Sequence, residues 1–245
     1  MLIKASATRG YSVMATDGPL GTVSDMLFDD ATWAVRWLVV DTGTWLNDRR
    51  VVIPAAVLGQ PDPAVRDIRV HLTMDQVRNS PDVDTQRPVS RQYETGAHDY
   101  YGLTPYWTMA PYLGGFGYWE GAMPNPPIPA ETEMENHRND DPNLRSIAAI
   151  TGYHINATDG EIGHLADVLV DDRDWTLRYL IVDTSNWWMG KQVLISPRST
   201  RSIRWSEELV NLSVDRDRVK SSPPYDPDQV VDGAHDLDMI RHYGP

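Results

Sequence analysis

The sequence says the same thing twice. At a constant offset of 142, Gly10 to Trp45 aligns with Gly152 to Trp187, and 18 of the 36 positions are identical, where unrelated segments would share about two. Internal repetition at that level means two copies of one folding unit. It divides the 245 residues into two units of about 100 residues, each long enough to bury a core of its own.

The local signals inside each copy are those of short strands. Ala15-Thr16-Asp17-Gly18 reads as a turn, because Asp accepts local backbone hydrogen bonds and Gly tolerates positive φ. Gly21 to Asp29 and Trp33 to Asp41 are then strand-length runs rich in Val, Leu, Trp and Met, with Asp29-Asp30-Ala31-Thr32 between them. Arg50 to Pro54 and Ile68 to Leu72 supply two more strands. The second copy repeats each piece: Thr158-Asp159-Gly160, Gly163 to Asp171, Trp175 to Asp183, Gln192 to Ile195 and Leu209 to Leu212. Thr73-Met74-Asp75-Gln76 fits a capping box and predicts a helical turn ending before Pro81. Ser213 is read as the matching cap in the second copy, with Arg216 in place of the Gln. Closely spaced antiparallel strands without a long helix predict an all-β chain with a small barrel in each copy.

These residues carry a resemblance. A turn with Asp17-Gly18, a following Gly21, a strand ending at Asp29, Arg36 to Asp41 of the type R-x-L-V-V-D, and Val51 to Pro54 together resemble a PRC-barrel domain. Asp159-Gly160, Gly163, Asp171, Arg178 to Asp183 and Val193 to Pro197 repeat the pattern, with Ser196 before the proline. The resemblance implies two small PRC-type β-barrels in tandem, of about six strands each, with a short C-terminal helical segment after each. That family includes the cytoplasmic part of the photosynthetic reaction-centre H subunit and a domain of a ribosome-maturation factor, and it consists mainly of interaction modules. The membrane helix of the first relative and the extra N-terminal domain of the second have no counterpart here, so neither specific role carries over.

The copies, 1–102 and 144–245, are joined by a connector at 103–143 that is not repeated. Tyr100 to Trp119 holds no charge and eight aromatics, among them Tyr106, Trp107, Tyr112, Phe116, Tyr118 and Trp119. Pro105, Pro111 and four glycines break any helix long enough to cross a bilayer. So many rings either lie across the barrels or form a contact surface for another subunit or protein, because Tyr and Trp are favoured at interface centres. Trp45, Trp187 and the adjacent Trp188 join this candidate interface. From Pro124 to Asp141 the composition turns to prolines and acids around His137, a solvated linker without the ligand order of a calcium loop.

Catalytic and cofactor sites are not expected. Gly96 to Asp99 and Gly233 to Asp236 both read Gly-Ala-His-Asp, but no nucleophile is marked beside His98 or His235. Asp29-Asp30 and Asp171-Asp172 are explained by a hairpin turn. Gly114 to Gly117 lacks the strand, helix and Lys of a phosphate loop. Cysteine is absent, excluding thiolate metal sites and disulfides, and no metal or cofactor is implied. The net charge of -13 opposes binding to nucleic acid and to anionic lipid, so membrane contact is at most peripheral. No apolar N-terminal stretch of secretory type is present, and cytoplasmic residence is the default. The sequence therefore predicts a non-catalytic module for protein partners or self-association. A groove between the barrels that holds a small ligand is the alternative, and a peripheral membrane or photosynthetic-complex-associated role is a lesser one.

Overall fold

The computed structural model describes residues 1–80, 100–103, 144–184, 192–226, 231 and 233–244. Residues 1–78 and 143–245 gather into one compact unit, and 79–142 into another. All strands among the described residues belong to the first unit.

The first copy contains β1 (Leu2–Lys4), α1 (Ala5–Thr8), β2 (Ser12–Met14), β3 (Pro19–Asp29), β4 (Ala34–Asp41), β5 (Arg50–Pro54), β6 (Leu58–Asp62), β7 (Asp67–Val70) and α2 (Met74–Arg78). The second contains β8 (Leu144–Ser146), α3 (Ile147–Ile150), β9 (His154–Ala157), β10 (Gly160–Asp171), β11 (Leu177–Asp183), β12 (Gln192–Ile195), β13 (Thr200–Arg204), β14 (Leu209–Leu212), α4 (Arg216–Lys220) and a longer C-terminal helix, α5 (Gly233–Tyr243). The hydrogen-bonded path β5-β4-β3-β2-β7-β6 of one sheet recurs as β12-β11-β10-β9-β14-β13 of the other. The first and last members of each path are joined in sequence by a short 3-10 turn, at Ala55–Val57 and Pro197–Ser199, and among the described residues no ladder pairs them.

The long hairpin in each copy carries the core. In β4 the run Val35, Trp37, Leu38, Val39 and Val40 is buried, and Val51 to Ile53 of β5 lie against it. Both faces of β4 are apolar because the strand lies between two others with cover on each side. β3 bulges between Val23 and Asp25, and β10 bulges at the same place, between Leu165 and Asp167. An extra residue there bends the strand and re-aims the carboxylate that follows.

The copies do not complete their sheets independently, as the sequence suggests they would. β1 pairs antiparallel with β10 of the second copy, Ile3 opposite Val170, and β8 pairs with β3 of the first, Arg145 opposite Phe28. Each seven-stranded sheet thus holds six strands of its own and one from the other copy. The reason is the length of β3 and β10. β9 covers only Gly160 to His164 of β10, leaving the edge of Leu169 to Asp171 open, and an open edge recruits a strand. At the centre of the exchange Ala34 bridges Thr176, its own equivalent at the offset of 142. Val35 N-H donates to the Trp175 carbonyl at 2.8 Å and Leu177 N-H to the Trp33 carbonyl at 2.7 Å. Two repeats related this way have the self-complementary geometry of a twofold dimer within one chain.

The capping box forms as expected: Gln76 N-H donates to the Thr73 hydroxyl at 3.2 Å and Thr73 N-H to the Gln76 side chain at 2.9 Å. In the second copy the expected cap is corrected. Asp215, not Ser213, starts the helix and accepts from Arg218 N-H at 2.8 Å. Asp215 lies 142 residues after Thr73, and Ser213 instead bonds the Ser199 carbonyl.

Candidate interaction surface

Of the residues proposed for an interface, only Trp45 lies within the described residues; Tyr106, Trp107, Tyr112, Phe116, Tyr118, Trp119, Trp187 and Trp188 lie outside them, as do His98 and His137. Trp45 sits half-buried in the 3-10 turn Gly43–Leu46. Its ring N-H donates to the Leu20 carbonyl, and the Arg78 guanidinium lies 5.7 Å from its ring centre. The indole is therefore tied to its own copy on its edge and over one face.

The junction between the copies is built by two equivalent carboxylates. Asp167 accepts from Ser6 N-H at 3.2 Å, from the Ser6 hydroxyl and from Val168 N-H at 2.8 Å. Asp25 accepts from Ala148 N-H at 3.1 Å, from the Ser146 hydroxyl and from Met26 N-H at 2.8 Å. Each bulge thus aims a carboxylate at the start of the other copy's first helical turn. The backbone donors Ser6 and Ala148 are 142 residues apart, but the hydroxyls come from different positions, Ser6 in one copy and Ser146 in the other. Arg145 adds a contact on one side only, meeting Asp30 of the first copy at 3.5 Å and lying 4.3 Å from the Trp205 ring centre.

The paired acids expected in hairpin turns are there, and they hold the turns. Asp29 accepts from Ala31 and Thr32 N-H groups at 2.9 and 3.2 Å. Asp171, 2% exposed, accepts from Arg173 through both backbone and guanidinium, the latter at 2.8 and 3.0 Å. The Arg of the R-x-L-V-V-D pattern reaches back to the same loop. Arg36 meets Thr32 and Asp29 at 2.9 and 3.4 Å, and Arg178 meets Asp174 and Asp171 at 2.9 and 3.2 Å. Each loop ends on a tryptophan at φ +57, Trp33 and Trp175, a conformation unfavourable for a bulky residue. The carbonyl of each then bonds across the junction.

The Arg173 side-chain hydrogen bond, assisted by its backbone N-H and the charges of Arg173 and Arg178, holds the Asp171 carboxyl down to about 2 against the opposing effect of burial. A folded value below the unfolded one of about 3.9 means stability that is complete above about pH 4 and lost as pH falls toward 2. Arg173 is mostly exposed, so solvent screening keeps its contribution small. Urea unfolding is expected to find Arg173→Ala slightly less stable than wild type at about pH 6, the difference shrinking as pH falls through about 2.

α5 covers the open face of the second sheet. Met239 is buried with Leu169, Tyr179, Ile181 and Leu194, and the Tyr179 hydroxyl donates to Asp236 at 2.5 Å. Burial first, and then that carboxylate, push the Tyr179 hydroxyl well above its usual range. The His235-Asp236 pair is thus divided: the carboxylate anchors the helix to the sheet. On α5, Leu237 is 54% and Ile240 40% exposed, one helical turn apart, with Ile240 at the edge of the face that carries Asp236 and Met239. Among the described residues no helix is long and apolar enough to cross a membrane, and no group of three His, Cys, Asp or Glu could hold a metal ion.

No curated protein matches the chain. One family does match, over a segment running from the exchanged strand β1 into the capped helix α2: residues 2–77 are a PRC-barrel domain.

Proposed function

We propose that the chain is a non-catalytic cytoplasmic module for protein interaction or assembly, made of two PRC-type units of which residues 144–245 form the second. The observation that carries this reading is the commitment of the acids near the junction. Asp25, Asp29, Asp167 and Asp171 each accept two or more hydrogen bonds from neighbouring backbone, hydroxyl or guanidinium groups, which leaves them building turns and latches rather than meeting a substrate. The PRC-barrel match supports it, since such domains are generally non-catalytic. The apolar pair Leu237 and Ile240 on α5 gives a partner a place to bind.

Crosslinking with mass spectrometry in native lysate tests the reading. Recurrent crosslinks from α5 to one protein, or to a second copy of the chain, are expected, and Leu237→Asp should remove them while leaving the melting temperature unchanged. Crosslinks to neither, or crosslinks indifferent to Leu237→Asp, would count against it.

A further inference from the structure

We propose that the groove between the first hairpin loop and α5 is a binding site for a small carboxylic acid with a flat apolar body. The groove has a volume of about 390 Å³, within the range of sites that take small organic ligands. Its walls come from parts that meet only because the copies are joined: Trp33 from the loop of the first copy, Arg178 and Arg198 from the second sheet and its 3-10 turn, and Met239 and Ile240 from α5.

The charge of the ligand follows from the two arginines. Arg178 is already engaged by Asp171 and Asp174. Arg198 is exposed, and among the described residues no hydrogen bond or ion pair engages it. An uncommitted guanidinium at the edge of a groove, in a chain of net charge -13, favours an anion, and its planar fork matches a carboxylate. Asp236 stands on the same wall with the Tyr179 hydroxyl bound to it. One free cation beside a carboxylate suits a monoanion and disfavours a phosphate dianion. Trp33 and Ile240 supply apolar surface for the rest of the molecule, with the buried Met239 packed beneath them.

The site belongs to one copy only. The 3-10 turn Pro197–Ser199 corresponds to Ala55–Val57, and Ala56 stands where Arg198 does. One ligand per chain is therefore expected.

The experiment titrates the full chain with 2-naphthoate by calorimetry, with acetate and 2-naphthalenemethanol as probes lacking the ring and the charge. Methyl NMR signals of Met239 and Ile240 locate the binding. Saturable binding of one naphthoate per chain is expected, shifting those two signals and weakened about tenfold or more by Arg198→Ala. Arg201→Ala, an exposed arginine outside the groove, should leave binding unchanged, and both control probes should bind no better than naphthoate binds Arg198→Ala. No saturation up to about 10 mM, equal affinity in Arg198→Ala, unmoved Met239 and Ile240 signals, or displacement by an equal concentration of inorganic phosphate would each overturn the proposal. Because the crosslinking test turns on Leu237 and this one on Arg198, either reading can fail without the other.

Discussion

Gly163→Ala is expected to lower the unfolding free energy by about 3 to 5 kcal/mol, and Gly21→Ala by a similar amount. Both glycines lie in the long strands where these pass the last residue of the neighbouring strand, at φ +141 and +144. A Cβ on Gly163 would stand 1.9 Å from the Asp183 carbonyl oxygen, and one on Gly21 2.1 Å from that of Asp41. The obstacle is backbone within a ladder, which cannot turn aside as a side chain would. Two costs therefore add: a conformation that residues with a Cβ rarely adopt, and a displaced strand. Gly10→Ala separates them, because Gly10 has φ +75 but nothing within 4 Å of the added atom, and about 1 kcal/mol is expected there. Urea unfolding of the three variants checks the order; a Gly163→Ala cost no larger than that of Gly10→Ala would mean that the strands do not approach so closely.

The second large effect is at the latches. Asp167→Ala and Asp25→Ala should each cost about 2 to 3 kcal/mol, because each removes the acceptor of three donors, one of them a hydroxyl from the other copy. The location of the effect is more telling than its size. Asp167 belongs to the second copy, yet the segment it holds begins the first. Hydrogen exchange should therefore speed up at Ile3 and Lys4 in Asp167→Ala, and at Arg145 and Ser146 in Asp25→Ala, ahead of the change in global unfolding. Acceleration confined to the substituted copy would contradict the exchange.

Much of the sheet was legible in the sequence because each long hairpin is marked by glycines, turn residues and an unbroken apolar run, twice over. The strands Arg50 to Pro54, Gln192 to Ile195 and Leu209 to Leu212 stand where the residues place them. β6 was not legible, since Gly59 and Pro61 interrupt its pattern, nor was β13, whose charged face resembles a loop. The exchange was hidden for a different reason. Outside the conserved core of the repeat, Leu2 to Arg9 and Leu144 to Thr151 share only Leu2 and Ala7 with their equivalents, so alignment stops just before the segments that cross. A signal was present nonetheless. Asp25 and Asp167 are identical residues set among Val, Met and Leu in strands that otherwise bury apolar side chains, and a carboxylate repeated there requires a donor that its own strand does not provide. For the interface residues the outcome is narrower, since the connector and Trp187 to Trp188 lie outside the described residues, and Trp45 is fastened to Leu20 and Arg78.

The most direct measurement uses the absence of cysteine from the chain. Ile3→Cys with Val170→Cys places two thiols on directly opposed residues of β1 and β10, within reach of a disulfide, whereas Ile3→Cys with Phe28→Cys joins β1 to the long strand of its own copy. Oxidation of dilute protein, read by mass spectrometry of the monomer, should close the first pair within one chain and leave the second open. Closure of the Ile3-Phe28 pair in place of the Ile3-Val170 pair would show that each copy keeps its own first strand, and would contradict the exchange on which this account is built.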